Sequence, residues 1–388
     1  MLIEQNAEIA YIQGVRNERL RMWMRDRLPR NGRAALVLRT LLLGTLLLVG
    51  GCGAEGEGGT ESASEPAERT SAPEALPEGA EAVSLLGEPL VPPELDPEFQ
   101  ASQEAKLDAA RRALEANPEG ADERIWVGRR LAYLGQYREA IETYTRAIEL
   151  HPDDPRLYRH RGHRYITTRR LDRATTDLSR AAELIEGTED EVEPDGLPNE
   201  RGIPTSTLHF NVWYHLGLAH YLAGRYEEAA EAYEACLEAS RHVDTVVATT
   251  YWYYLTLRRL GRDDEAEALL EAVPEDPDVI ESEPYLDLLR LFRGEVLAGQ
   301  LLGPMGDEAS VESVTTAYGV GARHLLEGRA DEAYLVFRTI VRSRDQWSAF
   351  GYIAAEAELA RIEVGQNTNP GGSGGTGRRA RRTEERPS

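Results

Sequence analysis

His160 and His163 stand three residues apart, which puts both imidazoles on one face of a helix with Tyr165 close behind. Two imidazoles so placed could ligate a metal or exchange a proton. With His209 they define the enzymatic alternative for this chain, a site under the segment 187–207. They have no carboxylate partner at helical spacing, and the chain contains neither HExxH nor CxxC. The expectation is therefore no metal, no other cofactor and no enzyme. The acidic run Glu189, Asp190, Glu191, Glu193 lacks the ligand spacing of a calcium loop and reads as solvated surface. Cys236 reads as a packed thiol, and Tyr251, Trp252, Tyr253 and Tyr254 read as core.

What would hold such residues in place is a periodic scaffold. Gly135, Tyr137, Ala140, Tyr144, Ala147 and Pro152 return in part as Leu171, Ala174, Leu178 and Ala181, so that Ala140 and Ala174 are 34 residues apart. Each type has a physical reason. Gly135 can take the left-handed conformation that ends a helix, the alanines let helices approach closely, the tyrosines fill the wedges, and Pro152 stops the second helix. This pattern resembles the tetratricopeptide repeat, in which helix pairs of 34 residues stack. The resemblance implies an all-α solenoid of about five to six helix-turn-helix repeats that holds other molecules instead of transforming them.

The repeats fall at about 121–154, 155–188, 210–243, 247–280, 281–313 and 314–345, within a folded body of residues 94–361. The third restores the family's strongest signature as Trp213, Leu216 and Gly217; the second has Arg169 where the turn glycine belongs. Asp96-Pro97-Glu98 signals an unpaired leading helix. Trp347 to Arg361 reads as a closing helix, with Glu356, Glu358 and Arg361 on a solvated outer face. The insertion 187–207 has no counterpart in the repeat pattern.

Ahead of the body lies a leader. Arginines from Arg25 to Arg39 precede an apolar run that ends at Cys52, and Val49-Gly50-Gly51-Cys52 resembles a bacterial lipobox. The apolar run is too short to span a bilayer. The resemblance implies that residues 1–51, a start extension and signal peptide, are removed. Cys52 then carries the acyl chains that anchor the protein to the lipid bilayer of the cell envelope. In lipoproteins resembling this one, a residue other than Asp after the cysteine, here Gly53, favours an outer membrane, facing the periplasm, where one exists. Residues 52–93 read as an acidic, disordered linker and 362–388 as a disordered Gly/Arg tail.

In proteins resembling this one, the first helix of each pair faces the concave surface. That register selects Asp122, Ile125 and Arg129, then Arg156, Arg159 and His163, then Asn211, Tyr214 and Leu218. Of these, Arg129, Arg156, Arg159, His163, Asn211 and Tyr214 are the candidate partner-binding groove, a local basic patch in a chain of net charge −23. Such acidity argues against nucleic acid as partner. The guanidiniums could clamp a carboxylate of a protein or peptide partner, or pair with the acidic run of the insertion. A third reading makes the solenoid a self-associating spacer. The expected role is a lipid-anchored scaffold for protein–protein interaction in an assembly, secretion or export complex.

Overall fold

A computed structural model describes residues 76–368. The leader, Cys52 and residues 369–388 lie outside the described residues. Among the described residues the chain is a succession of packed helices with one small hairpin. The hairpin comes first, with β1 (Ala82–Val83) and β2 (Pro89–Leu90) antiparallel and Ala82 opposite Leu90. Helix α1 (Pro97–Ala116) follows, capped as expected by the Asp96 carboxylate, which accepts from the Glu98 and Phe99 amides.

Four helix pairs come next. They are α2 (Ala121–Tyr133) with α3 (Tyr137–Leu150), α4 (Pro155–Thr167) with α5 (Leu171–Ile185), α6 (Leu208–Leu222) with α7 (Tyr226–Ala239), and α8 (Val243–Arg259) with α9 (Asp263–Ala272). The fifth unit is α10 (Glu283–Arg293) with only a four-residue second helix, α11 (Ala298–Leu301). The sixth pairs α12 (Val311–Leu326) with α13 (Ala330–Ile340), and α14 (Phe350–Thr368) ends the described chain.

The turn glycines do what the pattern requires. Gly135, Gly224, Gly261 and Gly328 have φ of 77°, 75°, 71° and 76°. Within a pair, a glycine on the first helix meets a large side chain on the second: a β-carbon on Gly217 would stand 2.6 Å from the Tyr233 ring. Tyr251 to Tyr254 and Cys236 are fully buried, in the roles expected of them.

Two expectations are corrected. The disordered linker was expected over 52–93, yet residues 76–93 have fixed structure, because Ala80, Ala82 and Leu90 find apolar cover and backbone groups find partners on the solenoid. The Glu81 carboxylate accepts from the Arg138 amide at 2.7 Å, and the Val91 carbonyl from Trp347 Nε1 at 2.8 Å. The second correction concerns the closing helix. It starts at Phe350 and continues to Thr368, so the tail does not begin at 362. Nor do Glu356 and Glu358 face solvent; both are buried, and so are Ile353, Ala354, Ala355, Ala357 and Leu359. Helix α14 lies inside the curve of the solenoid, where partners on other repeats take up its charges. Glu356 pairs with Arg169 at 2.7 Å, Glu358 with Arg259 at 3.3 Å, and Arg361 donates to the Leu222 carbonyl at 2.9 Å. Burial of a charge on all sides is tolerable only with such partners.

Candidate functional site

The groove register places Arg129 on α2, Arg156, Arg159 and His163 on α4, and Asn211 and Tyr214 on α6. The structure divides them into three settings. Arg156 is neutralised at the rim: it pairs with Asp154 and with Asp122 of the preceding repeat, each at 2.7 Å. The bonds to Asp154 raise its already high pKa, so it stays a cation.

Tyr214 belongs to the interior. Its hydroxyl accepts from Trp252 Nε1 at 3.0 Å and donates to the Tyr285 hydroxyl at 3.4 Å. His163 lies against His215, ring centroids 4.3 Å apart, and against Phe350 of α14 at 5.5 Å. Ile125 and Leu218 are also core. His163 and Tyr214 both pack against Phe350 of α14.

Arg129, Arg159 and Asn211 converge on the insertion. The Glu193 carboxylate sits between three of the solenoid's side chains: Arg159 Nε is 3.2 Å from Oε2, His160 Nε2 3.2 Å from Oε1, and Asn211 Nδ2 donates to Oε2 at 2.8 Å. Arg129 donates to the Pro194 carbonyl at 2.6 Å and Arg130 to the Gly196 carbonyl at 3.0 Å. The stretch 193–196 thus runs along a cationic cleft, held by its acceptors. Arg159 Nη1 points at His160 Nδ1, 2.9 Å away; the guanidinium can only donate, so the imidazole proton sits on Nε2, toward Glu193.

Burial, reinforced by nearby guanidiniums, holds His160 and His163 well below the ordinary histidine range, and burial does the same to His215. All three are neutral at pH 7. Burial likewise lowers the pKa of Arg159, against the pull of Glu193.

His209 takes Thr188 as its ring partner at 3.1 Å, and its amide donates to Asp190 at 3.0 Å. The ring that meets His163 is His215, which the spacing argument passed over. No group of three metal-ligating side chains occurs among the described residues.

Beside the cleft, α1 and α2 leave an open trough of about 390 Å³, lined by Lys106, Ala109, Ala113, Asp122, Trp126 and Arg130. The Arg129 and Arg130 guanidiniums lie over the Trp126 ring at 4.6 and 5.0 Å. Trp126 and Arg130 follow Ile125 and Arg129 by one residue, so a groove face read one position wider would have included them.

Two stretches match repeat families: residues 128–166 a family described as TPR repeat, and residues 210–242 one described as tetratricopeptide repeat. The chain carries tetratricopeptide repeats. No curated protein matches it. Among solved structures, MamA is 17% identical with a TM-score of 0.36, over 53% of this chain and all of that one. YrrB, titled a TPR protein with an unusual peptide-binding site, is 16% identical with a TM-score of 0.36, over 65% of this chain and 99% of that one. BtubC from P. vanneervenii gives 16% identity and a TM-score of 0.36, over 75% and 98%.

Proposed function

We propose that this tetratricopeptide-repeat chain is a non-enzymatic scaffold that captures an extended segment of a partner protein, tethered to the cell envelope through acylated Cys52. The observation that carries the binding half is the cleft between α2, α4 and α6. There three arginines and an asparagine already hold residues 193–196 by one carboxylate and two carbonyls. Guanidinium forks suit carboxylates and carbonyls, and they hold their charge at any physiological pH. The tethering half rests on the basic, apolar and Val49-Gly50-Gly51-Cys52 sequence of the leader. Two acyl chains suffice for stable anchoring, at about 0.8 kcal/mol per buried methylene.

Each half has its own test. Cells fed a labelled fatty acid should label the native chain and not Cys52→Ser, and the variant should leave the membrane fraction. Label on the variant, or none on the native chain, removes the anchor. Proximity crosslinking in native cells should capture one dominant envelope protein. Self-crosslinks alone would turn the reading into that of a spacer.

A further inference from the structure

The stretch that fills the cationic cleft is this chain's own, and its fit is incomplete. Arg159 Nε and Glu193 Oε1 are buried, yet neither makes a hydrogen bond of good geometry. Their nearest polar partners, Glu193 Oε2 and His160 Nε2, each stand 3.2 Å away but out of line for bonding. A buried donor left in this state costs free energy that a better-placed acceptor would recover.

Removal of the segment, in turn, uncovers little apolar surface. The insertion's large apolar residues, Val192, Leu197 and Ile203, are 59%, 43% and 45% exposed, so its departure opens no core. Its base is pinned outside the cleft by the Val192–Thr207 bridge, the bond from the Leu208 amide to the Glu191 carbonyl, and the Arg201–Asp278 pair. Without Glu193, Arg159 would lose the carboxylate it now faces in the cleft. An anion must replace it. The trough beside Trp126, which shares Arg130 with the cleft, adds room for an apolar side chain on the same segment.

We propose that residues 193–196 are an internal occupant of the cleft, and that the partner is an extended acidic segment whose carboxylate takes the place of Glu193 between Arg159, His160 and Asn211. The inference rests on the scaffold reading and gives it a ligand class and a built-in competitor.

The probe is a fluorescent peptide with the sequence of residues 190–197, titrated by anisotropy against the full chain. Glu193→Ala should bind it at least tenfold more tightly than the native chain, and adding Arg159→Ala should abolish the gain. A peptide with alanine in place of the glutamate that precedes its proline should bind at least tenfold more weakly. Equal affinity of the native chain and Glu193→Ala overturns the proposal, as does a gain that survives Arg159→Ala. Should circular dichroism show Glu193→Ala unfolded, Asp190→Ala, which frees the insertion from the His209 amide without altering the cleft, should tighten binding in the same direction; no tightening there overturns it too. If crosslinking still captures one dominant partner with Arg159→Ala, the scaffold reading stands and this inference falls.

Discussion

Arg169 is the one residue other than glycine with positive φ among the described residues, at 62°. Its position is the turn glycine of every well-matched repeat, so its backbone carries a strain of order 1 kcal/mol that glycine would not. The side chain accounts for the exception. Its guanidinium donates to Glu356 at 2.8 Å, to the Trp347 carbonyl at 2.7 Å and to the Thr167 carbonyl at 2.6 Å, and it lies 5.4 Å from the Trp347 ring centre. The pair is almost dry, the two side chains being 2% and 1% exposed. Loss of one member of such a pair strands a buried charge, at a cost of about 3–5 kcal/mol. Arg169→Gly should therefore destabilise the chain in urea by about 3 kcal/mol, although it relieves the turn. Glu356→Gln should act similarly, and the double variant should recover part of the loss in a double-mutant cycle. An Arg169→Gly variant as stable as the native chain would show that the turn outweighs the ion pair. In the sequence, Arg169 looks only like a decayed consensus position. Its partner lies 187 residues away, beyond any local pattern.

At the scale of helices, the legible parts are those whose contacts lie within one or two repeats. Gly217 against Tyr233, the capped start of α1 and the buried run on α8 all follow from spacing. The fifth unit follows too, as a helix ended by Gly294 and a short second helix, but one contact that seats it does not. Asp244, at the start of α8, accepts from the amides of Ile280, Glu281 and Ser282 at 3.0, 2.6 and 2.8 Å, and pairs with His242 at 3.0 Å. Burial pushes its pKa up, but the His242 bond and the three amides outweigh burial and hold it below the ordinary aspartate range. Asp244→Ala should cost about 2–3 kcal/mol, the scale of hydrogen bonds to a charged acceptor. The sign of the pH effect follows from the lowered folded-state pKa. The stabilisation is complete above the unfolded value of about 3.9 and is lost as pH falls through the folded value. Thermal melts from about pH 7 downward should show the gap between native and variant chains closing only below about pH 4. A gap that persists unchanged to about pH 2.5 would mean that Asp244 acts through packing alone.

For the molecule as a whole, the period of 34 residues predicts an open solenoid in which each unit touches its neighbours. The observed chain closes on itself. Helix α14 touches α12, where a β-carbon on Gly351 would stand 2.7 Å from the Val314 carbonyl, and it touches α4 through His163 and Phe350. It also reaches α6 through Arg361 and the Leu222 carbonyl, α8 through Glu358 and Arg259, and the N-terminal hairpin through Glu356 and the Leu85 amide at 2.7 Å. The charges on α14 suggested a solvated cap because sequence shows a charge and hides its partner. This closure changes how stability is distributed. In an open solenoid, removal of the last helix weakens only the unit beside it. Here, truncation after Ala349 should expose the apolar faces of α4, α6 and α8 together and strip Arg169 and Arg259 of their carboxylates. Hydrogen exchange should then speed up in all three helices, and the urea transition should lose cooperativity across the chain. Exchange that rises only in α12 and α13 would show that α14 is a terminal cap after all, and that the second to fourth repeats stand without it.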